Sequence, residues 1–170
     1  MVIARDHGVS EKYLYYVNRE IDLLAAHLPN RRRLTQYHWG GGTPTYQSAE
    51  ELKALHRKVT EHFTFDPDAE VAVEVDPRIT TDGQLEALKE MGFNRMSLGV
   101  QDFTPEVQEA IGRNQTEEQT CDLVRKCRDL GFESVNLDLV YGLPAQSPDT
   151  FSTNLDVVLG LRPDRVALYS

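Results

Sequence analysis

Strand-like and helix-like segments alternate along this chain from end to end, with short loops between them. Two strands joined through a helix lie parallel, with a right-handed crossover. Strand patterns run over Leu34–Trp39, Glu70–Val75, Met96–Gln101, Ser134–Val140 and Arg165–Ser170. Helices are marked by caps and by apolar spacing. Leu14, Val17, Ile21, Leu24 and Leu28 form one helical stripe. Ser48-Ala49-Glu50-Glu51 is a capping box ahead of Leu52, Leu55, Val59 and Phe63. Thr81–Gln84 and Thr116–Gln119 repeat the box, and Thr104-Pro105 and Ser147-Pro148 place proline at the first helical position. The expectation is an α/β fold of one domain over residues 1–170, with about five parallel strands and intervening helices. That is fewer than the eight strands of a closed barrel, so the sheet is expected to be open at both ends.

Composition narrows the function classes. Hydrophobic content of 40% and charged content of 26% are ordinary for a globular domain. Eighteen basic against 27 acidic residues give a net charge of −9, which disfavours a nucleic-acid or anionic-membrane surface. Arg31-Arg32-Arg33 is the only basic run and is expected at a solvated helix end. No stretch approaches the roughly 20 apolar residues of a membrane span, and no signal peptide is visible, so the expected location is cytoplasmic. Cys121 and Cys127 lie on one predicted helix, about 120° apart around its axis, and read as packing residues rather than metal ligands.

The candidate site comes from strand parity. Along Val71–Asp76 the valines take one face, and Ala72, Glu74 and Asp76 the other. Ser97, Gly99 and Gln101 alternate with the apolar set of the next strand, as Asn136 and Asp138 do in the one after. A parallel strand covered on both sides should be apolar on both faces. A polar second face implies a wet cavity, and ligands of parallel α/β folds sit at strand C-terminal ends. Gly40-Gly41-Gly42-Thr43-Pro44 lies at that end of its strand. Its glycines can take positive φ and touch a ligand through the backbone, although a plain turn would look the same. The convergent set is Gly40, Gly41, Gly42, Thr43, Glu74, Gln101 and Asp138, with Arg113 just after a short helix in a later loop. For Glu74 and Asp138 the alternative is a satisfied ion pair inside a barrel. Trp39, Tyr141 and Tyr169 read as core or rim. No metal-ligand pairing, nucleophile elbow or phosphate-binding glycine loop is present in the sequence.

Four blocks together carry a resemblance: His38–Thr45, Glu74–Arg78, Gly92–Phe103 and Asn136–Pro144. In order and spacing they resemble the oxygen-independent coproporphyrinogen III oxidases, which are radical S-adenosylmethionine (SAM) enzymes. The resemblance implies a partial (βα)6-type barrel, SAM and a 4Fe-4S cluster. It also implies a 5′-deoxyadenosyl radical that converts coproporphyrinogen III propionates to vinyl groups, with loss of CO2, giving protoporphyrinogen IX in haem biosynthesis. A porphyrinogen substrate, an electron donor for the cluster and a monomeric full-length protein are implied with it. By the family pattern Gly41 and Glu74 fall on one SAM site, and Gly42, Thr43, Gln101, Arg113 and Asp138 on a second.

The family holds its cluster on a C-x-x-x-C-x-x-C loop after the first strand. The two cysteines here match no position of that loop, so its ligands are expected upstream of Met1 and these 170 residues are expected to be inactive alone. Gly112 before Arg113 is similar to the related haem-chaperone branch, while Gln115, Thr45, Asp76 and Asp102 are similar to the oxidases. A haem-binding chaperone and a non-catalytic remnant are the alternatives.

Overall fold

The computed structural model describes residues 7–170. Helix α1 (His7–His27) leads to β1 (Arg33–Trp39), a short 3-10 turn (Pro44–Tyr46) and α2 (Ala49–Thr60). Then follow β2 (Thr64–Val75), α3 (Asp82–Glu90), β3 (Arg95–Gln101), α4 (Pro105–Ala110) and α5 (Glu117–Asp129). The chain continues through β4 (Ser134–Val140), α6 (Pro148–Leu161) and β5 (Arg165–Tyr169). The three expected boxes form: Ser48, Thr81 and Thr116 each accept from the N3 amide, and the N3 side chain answers back; Ser147, with Thr150, forms a fourth.

All five strands are parallel and lie in sequence order, β1-β2-β3-β4-β5. Such an order keeps the crossover helices on one side of the sheet. Val71, Val73, Val75, Met96, Leu98, Val100, Val135, Leu137 and Leu139 form the buried row on that side. They pack against Leu85 and Leu88 of α3, Leu123, Val124 and Cys127 of α5, Val158 of α6, and Phe93 and Phe132. The opposite face is concave. Glu70 of β2 pairs with Arg95 of β3 at 2.7 Å and reaches past β4 to Arg165 of β5 at 3.1 Å. Two intervening strands separate Glu70 from Arg165, so this contact exists only because the sheet curls into a half-barrel.

Three local expectations are revised. β2 begins at Thr64 rather than Glu70, because Thr64 and Phe65 pair with Arg33 and Leu34 before a bulge; Pro67 hides that stretch from pattern reading. On α1, Leu24 is 53% exposed and Ala25, at 1%, takes the place against Val59 and Phe63. The basic run is not at a helix end: α1 stops at His27 and Arg33 opens β1. Arg32 lies 5.7 Å over the Phe63 ring instead.

Candidate functional site

The glycine run leaves the C-terminal end of β1 and meets Glu74 near the end of β2. Gly41 takes φ +103°, a conformation that only glycine adopts freely. Its amide donates to Glu74 Oε2 at 3.2 Å, while Glu74 Oε1 lies 3.2 Å from His38 Nε2. A Cβ at Gly40 would stand 2.6 Å from both Glu74 Oε1 and His38 Nε2, so the absence of a side chain there lets the carboxylate sit against the loop. The loop's exit is anchored separately. Gln84 Nε2 donates to the carbonyls of Thr45 and Gln47 at 2.8 and 2.6 Å, and the Thr45 and Thr80 hydroxyls lie 2.9 Å apart.

The other side of the site comes from β3, β4 and the loop after α4. Gln101 has φ +69°, and the β3–β4 register slips by one residue there. Arg113 Nη2 donates to Gly99 O at 3.0 Å and Gln115 Oε1 at 3.3 Å. Arg113 Nε is buried without a partner, a donor left over inside the site. Asp138 accepts from Asn136 Nδ2 at 2.6 Å and from Ser97 Oγ at 3.2 Å.

The two aspartates of the site are held in opposite ways. Burial pushes the Asp138 carboxyl up, against the hydrogen bonds of Asn136 and Ser97, and the charge of Glu74 adds to the rise. Burial also acts upward on Asp76, but the Arg78 guanidinium and backbone amide outweigh it and hold that carboxyl low, with Arg113 adding to the effect. Arg78 grips Asp76 as a fork, Nε to Oδ1 at 2.9 Å and Nη2 to Oδ2 at 2.6 Å, and its Nη1 reaches the Arg113 carbonyl at 2.7 Å.

These groups line one cavity of about 150 Å³: Gly42, Thr43, Glu74, Val75, Asp76, Gly99, Gln101, Arg113 and Asp138. Six of the eight residues singled out by parity and motif line it; of the other two, Gly41 donates to Glu74 and Gly40 leaves room for the Glu74 carboxylate. The ion pair considered as the alternative is absent at Asp138, and at Glu74 the one ionisable partner among the described residues is His38, 3.2 Å away. Asp138 has neutral partners, and Glu74 has a glycine amide and His38. Asp76 was legible as a polar-face residue but not as the anchor of the Arg113 loop, because that depends on Arg78 folding back. His38 carried no signal beyond adjacency to the glycines. A larger depression of about 200 Å³ lies between α3 and α5, where Lys126 is already paired with Asp82 at 2.6 Å. Cys121 and Cys127 sit on α5 in the helical layer; burial pushes the Cys127 thiol up to about 12. Among the described residues no group of histidine, cysteine or carboxylate side chains could hold a metal ion.

The sequence profile of the radical SAM superfamily matches residues 4–158. The chain belongs to the radical SAM superfamily. It is similar to the oxygen-independent coproporphyrinogen III oxidase of Pseudomonas aeruginosa, at 43% identity over 99% of this chain and 37% of that protein. The coproporphyrinogen III oxidase of Escherichia coli, whose structure is described as that of a radical SAM enzyme, superposes with a TM-score of 0.94. It is 42% identical, over 99% of this chain and 38% of that one. Elp3 of Methanocaldococcus infernus shares the fold, with a TM-score of 0.71 at 17% identity over 96% of this chain and 43% of its own. The chain thus spans little more than a third of the length of the oxidases it matches.

Asp138 and Asp76 are expected to affect stability with opposite signs. The folded state holds the Asp138 proton more tightly than the unfolded chain does. Its ionised form therefore destabilises the fold at neutral pH, and this penalty fades as pH falls through the folded pKa. Asp76, held low, contributes stability above its unfolded value and loses it as pH falls through the folded one. Asp138→Asn is expected to raise the melting temperature at neutral pH by about 2–4 °C, and the gap should close on acidification through the carboxylate range. Thermal melts across pH check this, and a variant that melts lower at neutral pH contradicts it.

Proposed function

We propose that this cavity binds SAM and that the chain is the SAM-holding part of an oxygen-independent coproporphyrinogen III oxidase. The observation that carries the proposal is the convergence of Gly42, Thr43, Glu74, Gln101, Arg113 and Asp138 on one cavity at the strand C-terminal ends. Gly41 and Glu74 serve one SAM molecule; Gly42, Thr43, Gln101, Arg113 and Asp138 serve a second. The residue types suit the ligand. Exposed glycine backbone admits a methionyl group, carboxylates accept from ribose hydroxyls or an ammonium group, and Arg113 pairs with a carboxylate. Bound SAM supplies the adenosyl group from which the family's hydrogen-abstracting radical comes, and the overall outcome is propionate to vinyl with loss of CO2. The chain's own residues bind and orient it.

The residues present do not fit a 4Fe-4S cluster. A cluster needs several thiolates, and the two cysteines here lie six residues apart on α5, one of them fully buried. We assign the cluster ligands to a part of the protein outside these 170 residues, and the chain alone is inactive. The substrate is a porphyrinogen, reducing equivalents come from an electron donor, and the whole protein is a cytoplasmic monomer. No helix of the described residues is long and apolar enough to cross a membrane.

Calorimetric titration tests the binding. The chain should take up SAM saturably, and Glu74→Gln and Asp138→Asn should each weaken it about tenfold or more, the scale of a charge-assisted hydrogen bond. A chain that does not bind, or variants that bind equally well, would contradict the proposal. Anaerobic reconstitution with iron and sulfide should give no cluster absorbance; a stoichiometric 4Fe-4S spectrum would overturn the assignment of the ligands. In a full-length protein, stable haem binding without decarboxylation would favour the chaperone branch.

A further inference from the structure

A second polar cluster lies directly behind the cavity, and the SAM site as described makes no use of it. Its centre is Asp102, only 1% exposed, the residue after Gln101. Its Oδ1 accepts from the Thr104 amide at 2.6 Å. Its Oδ2 accepts from Gln146 Nε2 at 2.6 Å and from Asn154 Nδ2. Gln146 also donates to Val140 O at 3.1 Å and accepts from the Gly142 amide at 2.6 Å, which ties down the turn after β4. Asn154 accepts from the Phe103 amide at 3.1 Å. From the other side, Gln108 Nε2 takes the carbonyls of Val100 and Asp102, and its Oε1 receives the amide of Gln115, two residues past Arg113.

Residues 100–102 are therefore clasped from both sides, and Gln101 between them holds a left-handed conformation that a side-chain-bearing residue adopts only when its surroundings over-determine it. The same bend leaves Gly99 O free for Arg113 Nη2. We propose that Asp102 is a positioning residue for the cavity. By gathering Gln146 and Asn154 on one buried carboxylate, it fixes Gln101 in the cavity wall and sets the Gly142 turn beyond Asp138. The proposal rests on the cavity binding SAM.

The test combines amide hydrogen exchange with SAM titration on the chain, for the wild type, Asp102→Asn, Gln146→Ala and the double variant Asp102→Asn/Asn154→Asp. Asp102→Asn replaces one of the two acceptor oxygens with an NH2 donor, which faces donors where the carboxylate accepted. Exchange at the Gly142 and Gln115 amides should quicken at least tenfold while Val73, Leu98 and Leu137 stay protected, and SAM should bind at least tenfold more weakly. Gln146→Ala, a milder change should Asp102→Asn fail to fold, should free the Gly142 amide and leave the core unchanged. The double variant restores one donor–acceptor pair and should recover part of the affinity. Uniform acceleration through the core, unchanged exchange at Gly142, or local loosening with intact SAM affinity would each overturn the role. A wild type that does not bind SAM would fell the functional proposal and this one together. A wild type and a variant that bind alike would fell only this one.

Discussion

Every feature of this chain depends on covering one face of its sheet and leaving the other uncovered. Five parallel strands in sequence order send all their crossovers to one side, where rows of valine and leucine from β2, β3 and β4 are buried against α3, α5 and α6. That burial is the main favourable term in the fold. The concave side then has no hydrophobic duty and can carry charge. At the strands' N-terminal end it carries a structural ion cluster, Glu70 with Arg95 and Arg165. At the C-terminal end it carries the cavity.

Polar groups at the two ends of that face are treated differently. Glu70 is matched by two cations. Glu74 and Asp138 are met only by amides, a hydroxyl and an imidazole, which leaves lone pairs for something else to use. The Arg113 guanidinium is likewise held by the Gly99 carbonyl and the Gln115 side-chain amide, with Asp76 at 3.9 Å. Stability is given up at Asp138 and recovered at Asp76, whose fork with Arg78 locks the loop that presents Arg113. Positions that oppose the fold's own preferences cluster where a ligand would sit.

Much of this was legible in the sequence because two periodicities and three capping boxes all point to one topology. Parity alone put Glu74, Gln101 and Asp138 on a common face. What stayed hidden depended on atoms returning from far along the chain. The clash that forces glycine at position 40 needs Glu74, 34 residues on. The anchoring of Asp76 needs Arg78 to fold back onto it. The clasp on Asp102 needs Asn154, 52 residues away. The early start of β2 was masked by Pro67, and on α1, where Ile21 and Leu28 of the expected stripe do face the core, the small Ala25 turns inward in place of Leu24.

The place proposed for SAM is the polar concave face, between the glycine loop and the ends of β2, β3 and β4. Two-dimensional NMR of the labelled chain during SAM titration tests it most directly. The account predicts shifts concentrated at the Gly41, Gly42 and Thr43 amides, at Gln101 and at the Arg113 and Asp138 positions, with the α3–α5 depression silent. Shifts centred on Asp82 and Lys126, or spread evenly over the chain, would contradict it.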